Sequence, residues 1–149
     1  MSQRGAPSLR QATDNDAERI ASLFTDEGFP VGETDVAARL VRFAPPDSTV
    51  IVADVEGEAV GFIAAHLVPR FEHDEPIVRI VALVVDPEVR ERGLGHLLMS
   101  AAEAFGRDHG AAFVEVTAGH HRPEARRLYE SLGYDSSVTT YLRKRLAAG

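Results

Sequence analysis

A short glycine-bearing segment between an apolar strand and a helix constrains this chain more than any other feature. The predicted strand covers residues 78–85, and an Asp-Pro pair at 86–87 closes it. Apolar residues then recur at helical spacing over residues 94–105. A buried strand that passes through a tight turn into an amphipathic helix is a strand–turn–helix unit, which is typical of layered α/β proteins.

The turn within this unit is suited to bind a phosphate group and has the sequence Arg90-Glu91-Arg92-Gly93-Leu94-Gly95. The two glycines have no Cβ atom, so the backbone can approach a ligand closely. The first N–H groups of the helix lack intrahelical partners, and the helix dipole makes that end positive. The two arginines can add charge-assisted contacts. These properties predict a phosphorylated cofactor, and the alternative is a structural turn with solvated arginines.

Two well-known phosphate motifs do not fit this turn. No Gly-Lys-Ser/Thr sequence follows the glycines, so the turn is not a P-loop. It also lacks the third glycine and the repeated strand–helix alternation of a Rossmann fingerprint.

Composition excludes several function classes. The 149-residue chain has a formal net charge of −7, which argues against nucleic acid as the main partner and is compatible with an amine substrate. It has no cysteine, which excludes thiolate catalysis and Cys-ligated metal sites, and its scattered histidines suggest no metal site. No apolar run approaches a membrane span, and no signal segment is recognised, so we expect a cytoplasmic protein without membrane contact.

The order of predicted elements indicates the fold class. A short strand is followed by two helices, a strand hairpin, the long strand and its helix, another strand, a short helix and a final strand or pair of strands. After the two helices, the hairpin is predicted over residues 48–68, the long strand over 78–85 and its helix over 94–109. The next strand is predicted over residues 112–117, the short helix over 124–132, and the final strand or pair of strands over 138–142. This mixed order predicts an α/β layer structure with a largely antiparallel sheet rather than a doubly wound fold. Residues 1–7 are expected to form a flexible lead.

A second motif, near the C-terminal end, makes the pattern specific. It reads Ala125-x-x-Leu128-Tyr129-Glu130-x-Leu132-Gly133-Tyr134. Paired with Val85-Asp86-Pro87 and Arg90-x-x-Gly93-x-Gly95, it resembles the GNAT superfamily of acetyl-CoA-dependent N-acetyltransferases. The resemblance covers almost the whole chain, because the element order also matches. It implies a single GNAT domain over residues 1–149, with a central mixed, mostly antiparallel sheet and helices on both faces.

The resemblance also implies a site for acetyl-CoA as co-substrate, without a metal. The cofactor would lie in a split between the strand ending at Val85 and the strand over residues 114–117. Backbone groups of Leu83 and Val85 would pair with the pantetheine arm, and Tyr129 would protonate the departing thiolate. Backbone N–H groups would hold the pyrophosphate, from the residues Arg90, Glu91, Arg92, Gly93, Leu94, Gly95 and His96. Arg122 replaces an Asn found in many relatives, and either contacts a CoA phosphate or is solvated.

The chemistry of acetyl transfer from a thioester to an amine gives the same requirements. The oxyanion needs a donor, which a splayed strand can supply from the backbone N–H of Leu83 or Val84. The leaving thiolate is helped by an acid with a pKa near ten, which a tyrosine has. The alternative for Tyr129 is an aromatic side chain that only packs. Because the chain has no cysteine, direct attack in a ternary complex is expected, without a covalent enzyme intermediate.

The general base has several candidates. Many family members carry a glutamate in the central strand, but here the only interior polar residue of that strand is Arg79. Glu115 on the next strand is one candidate base, and a water chain is another. The remaining candidates lie in two loops and are Glu72, His73, Asp74, Glu75, His120 and His121.

The most direct functional interpretation is acetylation of a primary amine of a small molecule or a peptide. Two alternatives stay open, namely acetylation of a protein N-terminus or lysine, and a non-catalytic module that binds or senses acyl-CoA. The resemblance further implies a homodimer, often formed in relatives through the C-terminal strands.

Overall fold

A computed structural model describes residues 5–118 and 122–147, and of residues 90–92 it describes the backbone only. The chain divides into two compact units, Met1–Thr117 and Ala118–Gly149. The expectation of one domain over the whole chain stays a prediction.

The first unit contains a five-stranded sheet in the order β1-β2-β3-β4-β5. The first four strands are antiparallel to their neighbours, and β5 runs parallel to β4. This confirms the predicted mixed, mostly antiparallel sheet. The elements are β1 (Ser8–Gln11), α1 (Ala17–Asp26), α2 (Glu33–Arg42), β2 (Ser48–Val55), β3 (Glu58–Val68), β4 (Ile77–Val85), α3 (Leu94–Asp108) and β5 (Val114–Glu115).

Helices cover both faces of this sheet. On one face, Ile20 and Leu23 of α1 and Val36 of α2 pack with Phe62 and Ala64 of β3 in a buried cluster. On the other face α3 packs against β2, β3 and β4. Because side chains alternate between the faces of a strand, β3 supplies apolar groups to both layers. The first unit is therefore a three-layer structure with its core on both sides of the sheet.

A bulge lies beside Gly61. The register between β2 and β3 shifts between Ala53 and Asp54, which leaves Val60 without an opposite residue on β2. A Cβ atom on Gly61 would lie 3.1 Å from the carbonyl oxygen of Val84. Glycine is required here because the neighbouring strand approaches so closely.

A second bulge lies in the middle of β4. Ala64 pairs with Ala82, but Ala65 pairs with Ile80, so Val81 has no opposite residue on β3. The Val81 side chain is 50% exposed, although it belongs to a central apolar strand. The bulge bends β4 at the point where its pairing with β5 stops.

The pairing between β4 and β5 covers only two residues of each strand. Val78 pairs with Val114 and Arg79 with Glu115, and there the ladder ends. The strand predicted over residues 112–117 is thus much shorter than expected. The remaining outer edge of β4, from Ile80 onward, is not part of the described β4–β5 ladder.

The second unit contains α4 (Pro123–Ser131), and its other described residues form turns and irregular backbone. The predicted final strand over residues 138–142 is wrong. A strand needs a partner to satisfy its backbone groups, and none of the described residues forms a ladder with this segment. Within residues 5–118 and 122–147, every helix is too short or too polar to cross a membrane.

Candidate functional site

The outer edge of β4 directs backbone groups away from the rest of the sheet. The N–H of Asp86 donates to the carbonyl oxygen of Val60 at 2.8 Å, so the residue after β4 faces β3. Hydrogen-bonding direction alternates along an antiparallel strand. Val84 therefore directs its backbone groups toward β3, whereas Leu83 and Val85 direct theirs toward the outer edge. Of the two N–H groups considered for the oxyanion, this geometry favours that of Leu83.

The segment after β4 is a tight turn that its own residues hold in shape. Asp86 caps the 3-10 helix Pro87–Arg92, because its Oδ1 accepts the N–H of Glu88 at 3.0 Å. Val89 is buried and fixes the turn against the core. The backbone of residues 90–96, predicted to contact pyrophosphate, thus runs from this 3-10 helix into the start of α3.

The turn leads into α3 through a left-handed residue. Gly93 has φ +74°, and no heavy atom lies within 4 Å of the position that its Cβ would occupy. Glycine is required here by backbone conformation rather than by space. In the first turn of α3, the N–H of Leu97 donates to the carbonyl oxygen of Gly93 at 3.1 Å. The N–H groups of Leu94 and Gly95 precede it, and the first turn has no acidic residue, so this end suits an anion.

Glu115 is held by an arginine of the neighbouring strand. Arg79 donates from Nε to Oε1 of Glu115 at 2.7 Å, and its Nη2 contacts the same oxygen. Both side chains are partly exposed, at the residue pair where the β4–β5 ladder ends. The structure therefore places the candidate base at the fork between the strands, with its carboxylate paired to a cation. Opposite charges on adjacent predicted strands were the sequence signal for this pair.

The other candidate bases are not brought together with Glu115 by any described contact. The loop residues Glu72, His73, Asp74 and Glu75 are all exposed. His120 and His121 lie outside the described residues.

An apolar cavity between α1, α2 and the sheet escaped the sequence interpretation. Its volume is about 80 Å³, and the apolar residues lining it include Phe24, Leu40, Phe43 and Phe62. Arg39 also borders it. From the sequence, the residues that line the cavity cannot be distinguished from ordinary core residues. A cavity depends on how segments that are distant in the chain pack together.

The second motif forms a helix with a fixed end. Gly133 has φ +91°, and its N–H donates to Glu130, while the N–H of Tyr134 donates to the carbonyl oxygen of Tyr129. These two bonds are the Schellman arrangement. The rings of Tyr129 and Tyr134 lie 6.2 Å apart, which is the apolar contact that accompanies such a cap. The Leu-Gly-Tyr ending of the motif thus fixes the position of Tyr129 on α4.

The environment of Tyr129 keeps its hydroxyl protonated at neutral pH. Burial raises the pKa of Tyr129, and the positive charge of Arg122 opposes that shift. Arg122 is the residue immediately before α4, which begins at Pro123. A tyrosine in these surroundings carries a proton that it can donate, next to a cation that favours the resulting phenolate.

Comparison with known proteins identifies the family. The model of the Acetyltransferase (GNAT) family matches residues 15–134 of this chain. The chain belongs to the GNAT family. GNAT proteins are acyltransferases that use acetyl-CoA.

Two relatives support this assignment. An N-acetyltransferase of Bacillus subtilis (strain 168), itself uncharacterised, is 32% identical over 140 residues, covering 87% of this GNAT chain and 91% of that protein. The aminoalkylphosphonate N-acetyltransferase of Salmonella typhimurium is 32% identical over 133 residues, covering 87% of this chain and 85% of that protein.

A solved structure shares the fold. An aminoglycoside N-acetyltransferase in complex with CoA has a TM-score of 0.80 and 20% sequence identity, covering 98% of this chain and 100% of that chain. Across residues 5–118 and 122–147, no group of three or more His, Asp or Glu side chains is placed to hold a metal ion.

Proposed function

We propose that this GNAT enzyme transfers the acetyl group of acetyl-CoA to a primary amine of a small molecule or a peptide. The proposal rests on one observation, which is that the outer edge of β4 and the glycine turn before α3 follow each other directly in the first unit. The outward-facing backbone of Leu83 and Val85 on β4 leads directly into the glycine turn at the start of α3. An edge of strand next to a helix N-terminus fits a ligand with an amide-bearing arm and a pyrophosphate.

Each part of the turn has a role in this proposal. Backbone N–H groups of Arg90, Glu91, Arg92, Gly93, Leu94, Gly95 and His96 hold the pyrophosphate. Leu83, Val84 and Val85 form the strand edge beside the pantetheine arm, and Arg122 contacts a CoA phosphate. The charged contacts add to the backbone contacts because phosphate oxygens accept strong hydrogen bonds from guanidinium groups.

The proposed chemistry is direct attack of the amine on the thioester carbonyl. Glu115, directly or through water, takes a proton from the ammonium so that the neutral amine can attack. The backbone N–H of Leu83 stabilises the oxyanion. As the tetrahedral intermediate collapses, the C–S bond breaks and Tyr129 gives its proton to the leaving thiolate. The surplus proton on the new amide nitrogen leaves to solvent. The proton held by Glu115 then passes through solvent to the Tyr129 phenolate, which restores both residues for the next turnover.

The acceptor is proposed to be a small amine rather than a protein. The name of the Salmonella typhimurium relative describes acetylation of an aminoalkylphosphonate, and that relative aligns with most of this chain. The loop over residues 71–75 is exposed and net acidic, which suits a cationic amine group. Both observations favour a small charged acceptor.

A second candidate function is binding of acyl-CoA without turnover. It is favoured by one observation, the pairing of Glu115 with Arg79. Oε1 of Glu115 already accepts from two nitrogens of the Arg79 guanidinium, which leaves that oxygen less available to contact an amine. A protein that only senses acyl-CoA needs no base at all.

A thiol-release assay separates these functions. The purified protein is incubated with acetyl-CoA and a panel of acceptors that contains an aminoalkylphosphonate, a polyamine, an aminoglycoside and a peptide with a free N-terminus. Thiol release with a small amine supports the proposal. Release with the peptide alone limits the acceptor to a peptide or a protein N-terminus, and binding of acetyl-CoA without release to any acceptor supports the sensing module.

A homodimer is part of the same proposal. In the second unit, Val138, Tyr141, Leu142 and Leu146 are all exposed apolar side chains. A second copy of this chain would remove them from water. Sedimentation equilibrium gives the mass directly, and a monomer at all concentrations contradicts this part. The cytoplasmic location stays a prediction from the sequence.

A further inference from the structure

Arg19 of α1 crosses to the end of β4 and binds the residue that shapes the glycine turn. Its Nη2 donates to Oδ2 of Asp86 at 2.6 Å, and its Nε donates to the carbonyl oxygen of Ala59 at 2.8 Å. The same Nη2 lies 3.3 Å from Oε1 of Glu58. The Arg19 and Asp86 side chains are only 28% and 14% exposed, so this contact is shielded from solvent.

The two carboxylate oxygens of Asp86 therefore accept hydrogen bonds from different partners. Oδ2 accepts from Arg19, and Oδ1 caps the turn by accepting the N–H of Glu88. The carbonyl oxygen of Asp86 also accepts the N–H of Val89 at 3.0 Å. The orientation of the carboxylate, and with it the path of the backbone toward Gly93, is fixed by an arginine from a helix on the opposite face of the sheet.

We propose that Arg19 is a positioning residue for the cofactor pyrophosphate. This inference rests on the proposed function, because it assumes that the turn after β4 holds that group. Arg19 acts through Asp86, so its loss moves the N–H groups of the turn rather than removing a direct contact. Small displacements of positioned groups have large effects on binding and rate.

A matched control exists in the same unit. Arg10 of β1 donates to Asp54 at 2.8 Å through Nε, and to Asp16 at 2.8 Å through Nη1. Its side chain is 34% exposed, close to the value for Arg19. Neither of its carboxylate partners belongs to the turn after β4. Arg10→Met therefore removes a comparable arginine–carboxylate contact without disturbing Asp86.

The experiment compares acetyl-CoA binding by calorimetry in the wild type, Arg19→Met, Arg19→Lys and Arg10→Met. We expect Arg19→Met to raise the Kd for acetyl-CoA by roughly tenfold. Arg19→Lys, which keeps the charge, should recover part of this loss. Arg10→Met should bind acetyl-CoA as the wild type does. Equal Kd values for the wild type and Arg19→Met overturn the inference, as do equal losses in Arg19→Met and Arg10→Met.

A second readout uses a donor without the pyrophosphate. Turnover is measured with acetyl-CoA and with S-acetylpantetheine, at saturating amine. If Arg19 positions the pyrophosphate turn, Arg19→Met lowers kcat/KM for acetyl-CoA by roughly tenfold and leaves kcat/KM for S-acetylpantetheine unchanged. An equal fall with both donors shows general damage and overturns the inference. If the wild type itself does not bind acetyl-CoA, the proposed function fails instead, which keeps the two claims distinct.

Discussion

The two compact units of this chain differ in what holds them together. The first unit, Met1–Thr117, has a core in which Phe62, Ile63 and Leu98 are at most 2% exposed. In the second unit, none of residues 122–147 is buried to that degree, and α4 contributes no buried residue. Nevertheless the second unit carries one of the two motifs that identify the family.

This difference shows that the residues of a family motif do not have to be buried in a hydrophobic core. In the first unit, apolar spacing reflects packing, so hydrophobic periodicity predicts it well. In the second unit, the motif reflects local geometry, in which Gly133 ends α4 and Tyr134 packs on Tyr129. The first unit is therefore expected to dominate stability, whereas Tyr129 is expected to matter for turnover.

The largest expected effect is on the free energy of unfolding. Ile63→Ala in β3 removes a fully buried side chain and should cost about 2–5 kcal/mol. Leu128→Ala in α4, where the side chain is only partly buried, should cost about 1 kcal/mol or less. Chemical denaturation of both variants measures the difference. Equal losses of unfolding free energy in the two variants would contradict the expectation that the first unit dominates stability.

Gly93→Val should lower the affinity for acetyl-CoA by at least about a hundredfold, since a β-branched residue resists the left-handed conformation that the turn needs. Gly57→Val is the matched control, because Gly57 also has positive φ, at +87°, with no heavy atom near its Cβ position. It lies between β2 and β3, outside the turn after β4. The control should lose stability but keep its affinity in calorimetry, and similar affinity losses in both variants would remove the special role of the turn.

Tyr129→Phe should lower kcat by roughly 10- to 100-fold, because the ring stays while the proton donor is lost. Its Kd for acetyl-CoA and its melting temperature should stay near those of the wild type. Tyr141→Phe is the control within the same unit, since Tyr141 is exposed and its hydroxyl accepts only from Arg143 among the described contacts. A loss of affinity with unchanged kcat in Tyr129→Phe contradicts the role of an acid.

The smallest effect concerns the pH dependence of stability. The hydrogen bond from Arg10 lowers the pKa of Asp16 in the folded state, below its ordinary value of 3.8. A lowered folded pKa gives stability that is present above the unfolded pKa and is lost as pH falls through the folded pKa. Asp16→Asn should therefore cost about 1–3 kcal/mol at neutral pH, and the difference should shrink as the solution becomes more acidic than pH 3.8.

Asp135 provides the comparison in the second unit. Hydrogen bonds from Ser137 lower the pKa of Asp135 as well, but this side chain is fully exposed. Asp135→Asn should change the pH profile of unfolding much less than Asp16→Asn does, since water competes for these exposed contacts. A profile that changes as much as that of Asp16→Asn contradicts the assignment of stability to the first unit.

Local signals in the sequence predicted most of the fold. Apolar periodicity located four helices, the hairpin and β4, and the glycine pair at 93 and 95 marked the turn between β4 and α3. Such features depend on residues close together in the chain, so their patterns are visible in one sequence.

Features that depend on distant residues were missed or misjudged. The contact between Arg19 and Asp86 joins residues 67 positions apart, and the cavity near Phe24 and Phe43 arises between separate elements. The strand predicted over residues 138–142 failed because alternation alone does not supply a pairing partner. The Arg79–Glu115 pair likewise depends on the register between β4 and β5, which the expectation that these strands are neighbours did not supply.

The central claim is that the edge of β4 and the turn that follows hold acetyl-CoA. Calorimetric titration of the wild-type protein with acetyl-CoA, beside Gly93→Val and Gly57→Val, tests it most directly. We predict saturable binding of one acetyl-CoA per chain to the wild type and to Gly57→Val, and its loss in Gly93→Val. Absence of binding to the wild type, or unchanged binding to Gly93→Val, would show that the glycine turn is only a structural connection between β4 and α3.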